Sequence, residues 1–245
     1  MASNDRIIGL YEFAAPVEVL LARQAKYVDR FKEHGARRVL DLGCGRGLFL
    51  EALRAAGIEA CGIDLSVEAV EECRGKGLTA LYHGDALQVT ESLVAKGQQY
   101  DGIYCSHLIE HLPVPTAIAL LRNAQRLLNE GGLLIIVTPN PASYHVIAEG
   151  FWLDPTHARP YPRALVERML NNLGFAVERW ADDPDTRPEA PRPFSPSRRG
   201  RLRRFLERWL LGELPPHLWH AFTCGQDQYF IAIKRPRRSA GVSSA

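Results

Sequence analysis

The stretch Val39-Leu40-Asp41-Leu42-Gly43-Cys44-Gly45-Arg46-Gly47 decides the fold. It begins as a short apolar run containing one carboxylate and ends in three alternating glycines. The run Arg38 to Leu42 reads as a buried strand. Glycine at a strand-to-helix turn lets the backbone approach a ligand with no side chain in the way. A dinucleotide fingerprint would place glycine at position 48, where Leu48 stands, and a triphosphate loop would continue with lysine and serine or threonine. Neither is present. Asp41 beside the turn favours a positively charged ligand over a pyrophosphate.

Outward from this turn, helical and extended patterns alternate. Leu48 to Ala56 reads as a helix closed by Gly57, and Ala60 to Asp64 as a second strand. Ser66 caps a helix with Glu68 and Ala69 in its first turn. Strands are expected at Leu78–His83, Tyr100–Cys105 and Leu133–Thr138, and helices at Thr116–Leu128 (ended by Gly131-Gly132) and Arg163–Leu173. A strand from Phe175 to Trp180 should pair with a last strand from Gln228 to Lys234. The pattern predicts an α/β, Rossmann-like, seven-stranded and mostly parallel sheet with helices on both faces. Ligands of such sheets bind beyond the carboxyl ends of the strands, so the loops after Asp41, Asp64, His83, Cys105 and Thr138 should meet at one crevice.

Composition sets the limits. The 245 residues are 46% hydrophobic and 24% charged, which excludes a fibrous or largely disordered chain. No stretch of eighteen apolar residues predicts a membrane span, and the N-terminus lacks the pattern of a secretory signal. A net charge of +2 gives no reason to expect a nucleic-acid partner. The five cysteines are odd in number and form no C-x-x-C pair, which points to a reducing cytoplasm. The expected organisation is an N-terminal helical cofactor lid (1–36), a core (37–181 and 227–235), a Pro/Arg-rich insertion (182–226) and a disordered tail (236–245).

Asp64 ends the second strand, where a carboxylate receives ribose hydroxyls. Asp85 with Ala86 follows the third strand, and a carboxylate there can accept from the exocyclic amine of a base. The set makes a site for a nucleoside that carries a cation. The segments VLDLGCGRG, GIDLS, GDAL, YDGIYCSHLIEHLP, LLNEGGLLIIVTPN and GFAVERW together resemble the class I S-adenosylmethionine-dependent methyltransferases, in family order. The resemblance implies that S-adenosyl-L-methionine is the cofactor and S-adenosyl-L-homocysteine its product. By the same resemblance Gly43, Cys44 and Gly45 hold the methionine part beside Asp41. Asp64 and Leu65 border the ribose, Asp85 and Ala86 the adenine, and Ser106 the methionine end.

Outside the core, Tyr11-Glu12-Phe13, Leu21 to Tyr27 and Phe151 to Tyr161 are similar to methyltransferases of bacterial O-antigen and polysaccharide clusters. That resemblance implies a lid in which Tyr11 and Arg23 close over the cofactor, with Arg23 pairing its carboxylate. It also implies O-methylation of a sugar or phosphate on a glycan or glycolipid. Where many of those proteins carry a polar, Arg-containing stretch, this chain reads AAPVEVL. The alternative acceptor is a quinone or other small metabolite.

His111, His157 and His107 are the candidate catalytic residues, able to take the acceptor's hydroxyl proton. A base of this kind is worth typically ~10²–10⁴-fold, and alignment alone about 7–11 kcal/mol. A phosphate acceptor would need no base and would turn attention to Arg159 and Arg163. His107-Leu108-Ile109-Glu110-His111 also matches the H-x-x-E-H pattern of zinc peptidases, the hydrolase alternative. Pro113 and Pro115 leave little helix to hold two histidines on one face. No metal is therefore assigned. Residues 200–212, GRLRRFLERWLLG, pair an apolar face with arginines, the makeup of a helix that lies on an anionic membrane or packs on its own domain.

Overall fold

The computed structural model describes residues 16–187 and 216–236. In chain order its elements are α1 (Val17–Glu33), β1 (Arg38–Leu42), α2 (Leu48–Ala55), β2 (Glu59–Asp64), α3 (Val67–Gly75), β3 (Leu81–His83), α4 (Ala86–Ala95) and β4 (Tyr100–Ser106). After these come α5 (Val114–Leu127), β5 (Leu128–Pro139), α6 (Tyr144–Ala148), α7 (Arg163–Asn172), β6 (Phe175–Asp182), α8 (Pro216–Thr223) and β7 (Asp227–Lys234). Short 3₁₀ turns lie at Ile109–His111 and Gly150–Leu153.

The strands form one sheet in the order β3-β2-β1-β4-β5-β7-β6. β1 to β5 pair in parallel, and β7 runs antiparallel between β5 and β6. The expected Rossmann-like, mostly parallel sheet is what forms, and the last strand pairs with β6 as its sequence suggested.

The period of two along each strand divides the core into two layers. On one face Leu40, Leu42, Ile103, Cys105, Leu134, Ile136 and Phe230 pack with Leu120, Leu121 and Ala124 of α5 and Val166 and Leu170 of α7. On the other, Val39, Tyr104, Leu133, Ile135, Tyr229 and Ile231 pack with Tyr27, Val28 and Phe31 of α1 and Phe49 and Leu53 of α2. α1 is thus built into the core rather than only laid over a crevice. Its contact with β4 is so close that a Cβ on Gly102 would lie 2.4 Å from Phe31 Cε1.

Several boundaries differ from the sequence expectation. The third strand is only Leu81–His83, because Leu78 closes α3 by donating its N–H to the Cys73 carbonyl at 3.1 Å. α4 was not anticipated; its start is set by Asp85, whose carboxylate accepts from Gln88 N at 3.0 Å. Gly131-Gly132 does not end a helix. α5 gives way to β5 at Leu128, and Gly131, with φ 74°, lies within that strand. The basic stretch 200–212 and the tail from residue 237 lie outside the described residues. Among the described residues no helix is long and apolar enough to cross a membrane.

Candidate active site

The glycine turn leaves β1 with Gly43, Gly45 and Gly47 at φ 78°, 51° and 80°, all left-handed. Gly43 N and Cys44 N donate to the Ile63 carbonyl, which fastens the turn to β2. Gly47 also has a packing reason, since a Cβ there would meet Cys73 Sγ at 2.7 Å. Asp64, at the end of β2, accepts from Gly45 N through Oδ2 at 2.7 Å and from Ser66 N through Oδ1 at 2.9 Å. These two bonds aim its carboxylate across the mouth of the turn.

Asp41 is only 3% exposed. Burial, then the charge of Asp64, pushes its pKa well above the usual carboxylate range. No hydrogen bond or ion pair to it is present among the described residues. Leu65 is the opposite case, an apolar side chain 71% exposed beside Asp64. Asp85 and Ala86 stand where β3 passes into α4, and Asp85 serves as the cap of that helix.

The β4 loop carries the next group of residues. Ser106 ends the strand, and Leu108 reaches the glycine turn, within 3.5 Å of where a Gly43 Cβ would be. His107 has a left-handed backbone, φ 50°, unusual for a residue with a side chain. Its Nδ1 is 3.1 Å from Glu110 Oε1 and its Nε2 3.6 Å from Asp227 Oδ2. It therefore turns toward β7 and away from His111, so the peptidase arrangement of His107 and His111 does not form.

His111 meets His157 instead, with ring centroids 4.7 Å apart. The surrounding bonds fix where their protons sit. His157 Nδ1 is 2.7 Å from the Phe151 carbonyl, which can only accept, so Nδ1 carries the hydrogen. Thr156 Oγ1 is 2.6 Å from Asp154 Oδ1 and 2.8 Å from His111 Nδ1. Burial raises the Asp154 pKa, but bonds from Thr156 outweigh it and hold the carboxyl below its usual range. An ionised carboxylate takes the one hydroxyl hydrogen of Thr156, which leaves Thr156 Oγ1 to accept from His111 Nδ1–H. In the neutral form of each imidazole the Nε2 is then the nitrogen that can accept. The two loops are tied together, since Ala158 N and Arg159 N both donate to the Glu110 carbonyl, at 2.8 and 3.2 Å.

Glu110 was read from the sequence only as the middle of the H-x-x-E-H pattern, and its partner Thr138 was not read as a site residue. Glu110 is fully buried, with Thr138 Oγ1 donating to its Oε2 at 3.0 Å. A second unforeseen group holds α1: Tyr27 donates to Asp183 Oδ2 at 2.9 Å, and Lys26 pairs with Asp183 and Asp185. Asp183 follows β6, so nothing local in sequence links it to α1. Arg23 lies on that helix near Asp227, and its buried Nε has no hydrogen-bond partner among the described residues. Tyr11 lies outside the described residues. His34, His83 and His145 are not part of this cluster.

Comparison with known proteins places this arrangement. A family model described as a methyltransferase domain matches residues 12–179. A ubiquinone biosynthesis O-methyltransferase of Xanthomonas oryzae pv. oryzae (strain PXO99A) is 35% identical over 139 residues, covering 55% of this chain and 57% of that protein. The match thus spans little more than half the length of that relative. A crystal structure of a SAM-dependent methyltransferase from Archaeoglobus fulgidus aligns with TM-score 0.71 and 29% identity over 91% of this chain and 97% of that one. A magnesium protoporphyrin IX methyltransferase from Synechocystis PCC 6803 with bound SAM aligns with TM-score 0.55 and 16% identity over 90% and 80% of the two chains, a likeness of fold. The similarity to polysaccharide-cluster enzymes expected from the leader and from Phe151–Tyr161 gains no support from these proteins. With more than half of its length matched by the family model, this chain belongs to the methyltransferase domain family, on the Rossmann-like fold of S-adenosylmethionine-dependent methyltransferases.

Proposed function

We propose that this chain moves a methyl group from S-adenosylmethionine to an oxygen of a small hydroxylated molecule of the quinone type. The observation that carries the reading is that Leu108 of the β4 loop packs on the glycine turn while His111 of the same loop meets His157. The residues present fit the cofactor. Asp41 is a buried carboxylate with no partner among the described residues, suited to the amino group or sulfonium of the methionine part. Asp64 is pre-aimed for ribose hydroxyls, and exposed Leu65 offers an apolar face to a base. The free Nε of Arg23 suits the methionine carboxylate.

When bound, the cofactor supplies an electrophilic methyl on a sulfonium. The chain's own task is to align the acceptor oxygen, exclude water and manage one proton. Alignment is worth about 7–11 kcal/mol when reacting atoms are held in a near-attack geometry. His111 and His157 manage the proton, since in the neutral imidazole of each the bonds to Nδ1 leave Nε2 as the acceptor. His107 acts as a positioning residue. Both its nitrogens face carboxylates, and Asp227 and Glu110 push its pKa upward against the opposing effect of burial, which leaves it a poor proton acceptor.

The small-molecule acceptor is favoured over a glycan because the similar curated proteins are ubiquinone biosynthesis O-methyltransferases. The test is calorimetric titration with S-adenosylhomocysteine, followed by transfer of labelled methyl to hydroxylated quinone precursors and, in parallel, to glycolipid extracts. Binding and a methyl ether on the small acceptor are the expected results. Absence of binding would overturn the cofactor assignment, and label found only in glycolipid would overturn the acceptor class.

A further inference from the structure

His107 differs from His111 and His157 in its hydrogen count. Its Nδ1 is 3.1 Å from Glu110 Oε1 and its Nε2 is 3.6 Å from Asp227 Oδ2. An ionised carboxylate can only accept, and a neutral imidazole has one N–H to give. Serving both carboxylates takes both ring hydrogens, which is the imidazolium. Burial opposes that charge, but Asp227 and Glu110 outweigh it. Burial likewise opposes the charge of Asp227, and His107, then Arg23 and Lys26 of α1, outweigh it and hold the carboxyl below its usual range. Lys26 is already paired with Asp183 and Asp185. Thr138 of β5 donates to the other oxygen of Glu110.

The imidazole sits on a strained turn. Among the described residues His107 is the one residue other than glycine with a positive φ, 50°. Its own N–H still donates to the Val137 carbonyl at 2.9 Å, so the turn begins where the sheet ends. What the β4 loop brings to the site comes after that point. Leu108 packs on the glycine turn, the Glu110 carbonyl accepts from Ala158 N and Arg159 N, and His111 meets His157. Strained backbone persists where its surroundings over-determine it. Here those surroundings are two carboxylates, one from the loop and one from β7.

We propose that Asp227 is a positioning residue of the reaction: it holds His107 as an imidazolium, and this charged pin keeps the β4 loop in the turn that sets Leu108 on the glycine turn and His111 beside His157. The proposal rests on the function proposed above and adds to it a residue that acts only through His107. The pin has a definite pH sense. A histidine that binds its proton more tightly in the fold contributes fully below its unfolded pKa, and the contribution is lost as pH rises through the folded value. Transfer should therefore fall on the acid side as the His111 and His157 pair takes protons, and on the alkaline side as His107 loses one.

The first test needs neither methyl donor nor acceptor. Nitrogen-15 NMR of the full chain at about pH 7.5, where an ordinary histidine is mostly neutral, should show one imidazolium among the eight histidines. His107→Asn should remove that signal, and Asp227→Asn should make it titrate at lower pH. No imidazolium at that pH, or one that survives His107→Asn, would overturn the proposal. The second test separates charge from backbone. His107→Gly suits the left-handed turn but carries no charge, so with circular dichroism reporting the fold it should lower kcat/KM roughly 100-fold, the loss that a small misplacement brings. Asp227→Asn should move the alkaline limb of the kcat/KM profile to lower pH and leave the acid limb in place. Transfer at the parent rate by His107→Gly, or an alkaline limb that Asp227→Asn does not move, would also overturn it. A parent chain that transfers no methyl bears on the proposed function alone, since the NMR reading stands without it.

Discussion

Replacing Asp41 with asparagine should move stability and affinity in opposite directions. The carboxylate is 3% exposed, its pKa is raised by burial and by Asp64, and no partner offsets its charge among the described residues. Asparagine keeps a buried polar group but cannot ionise, so above the unfolded pKa the variant should gain about 1.4 kcal/mol for each unit by which the fold holds the parent's carboxyl above that value, up to the working pH. For a domain of this size each kcal/mol raises the melting temperature by roughly 2–4 °C.

The gain should depend on pH in a fixed sense. An unfolded aspartate titrates near ~3.9. The folded carboxyl, with its raised pKa, keeps its proton to higher pH than the unfolded chain does. Parent stability therefore falls as pH rises from the unfolded to the folded pKa, and the loss is complete above the latter. The advantage of Asp41→Asn should vanish below about pH 4 and be greatest above the folded pKa. Meanwhile a lost hydrogen bond to a charged group, about 1.5–3 kcal/mol, should weaken S-adenosylhomocysteine binding roughly 10- to 150-fold. Thermal melts from pH 4 to 8 and calorimetric titration read both effects. A variant that melts below the parent at neutral pH, or binds as tightly, would refute the assignment of Asp41 as a cation-seeking group.

Three further outcomes are expected. Gly102→Ala should destabilise the fold by about 1–3 kcal/mol, because its Cβ would sit 2.4 Å from the Phe31 ring; urea unfolding should shift its midpoint without a change of slope. Ser66→Ala removes the Oγ that accepts from Ala69 N and should cost about 0.5–2 kcal/mol in the same assay. Asp101 is held below the usual carboxylate range by bonds from Arg37 N, Asn129 and Arg38 N that outweigh partial burial. Its contribution is present above the unfolded pKa and is lost as pH falls through the folded one, so Asp101→Asn should flatten acid unfolding in that window.

The sequence was most legible where one local rule dominated. The alternating glycines need left-handed backbone, and all three have it, so the β1 turn could be placed from residues alone. Ser66 as a helix cap and the apolar run Leu133–Val137 were equally local signals. α4 was lost because Asp85 carries two meanings at once, helix cap and crevice carboxylate, and only the second was read. The histidines show the other limit. His107 and His111 are four residues apart and match a metal pattern, yet a left-handed residue at 107 sends the first toward Asp227. His157 joins His111 from 46 positions along the chain, by bonds through Thr156 and the Glu110 carbonyl that no spacing rule encodes. Asp183 reaching Tyr27 is a contact of the same kind.

The position of β7 has a consequence for how the molecule is completed. Among the described residues β6 pairs only with β7, and β7 is the last strand, wedged between β5 and β6. During synthesis, residues 175–182 emerge from the ribosome more than forty residues ahead of the strand that must zip them in. Until residues 227–234 arrive, both β5 and β6 present bare backbone donors and acceptors, the condition that invites association between nascent chains. Asp227, which opens β7, also faces His107, so the same late insertion that seals the sheet gives the β4 loop its carboxylate partner.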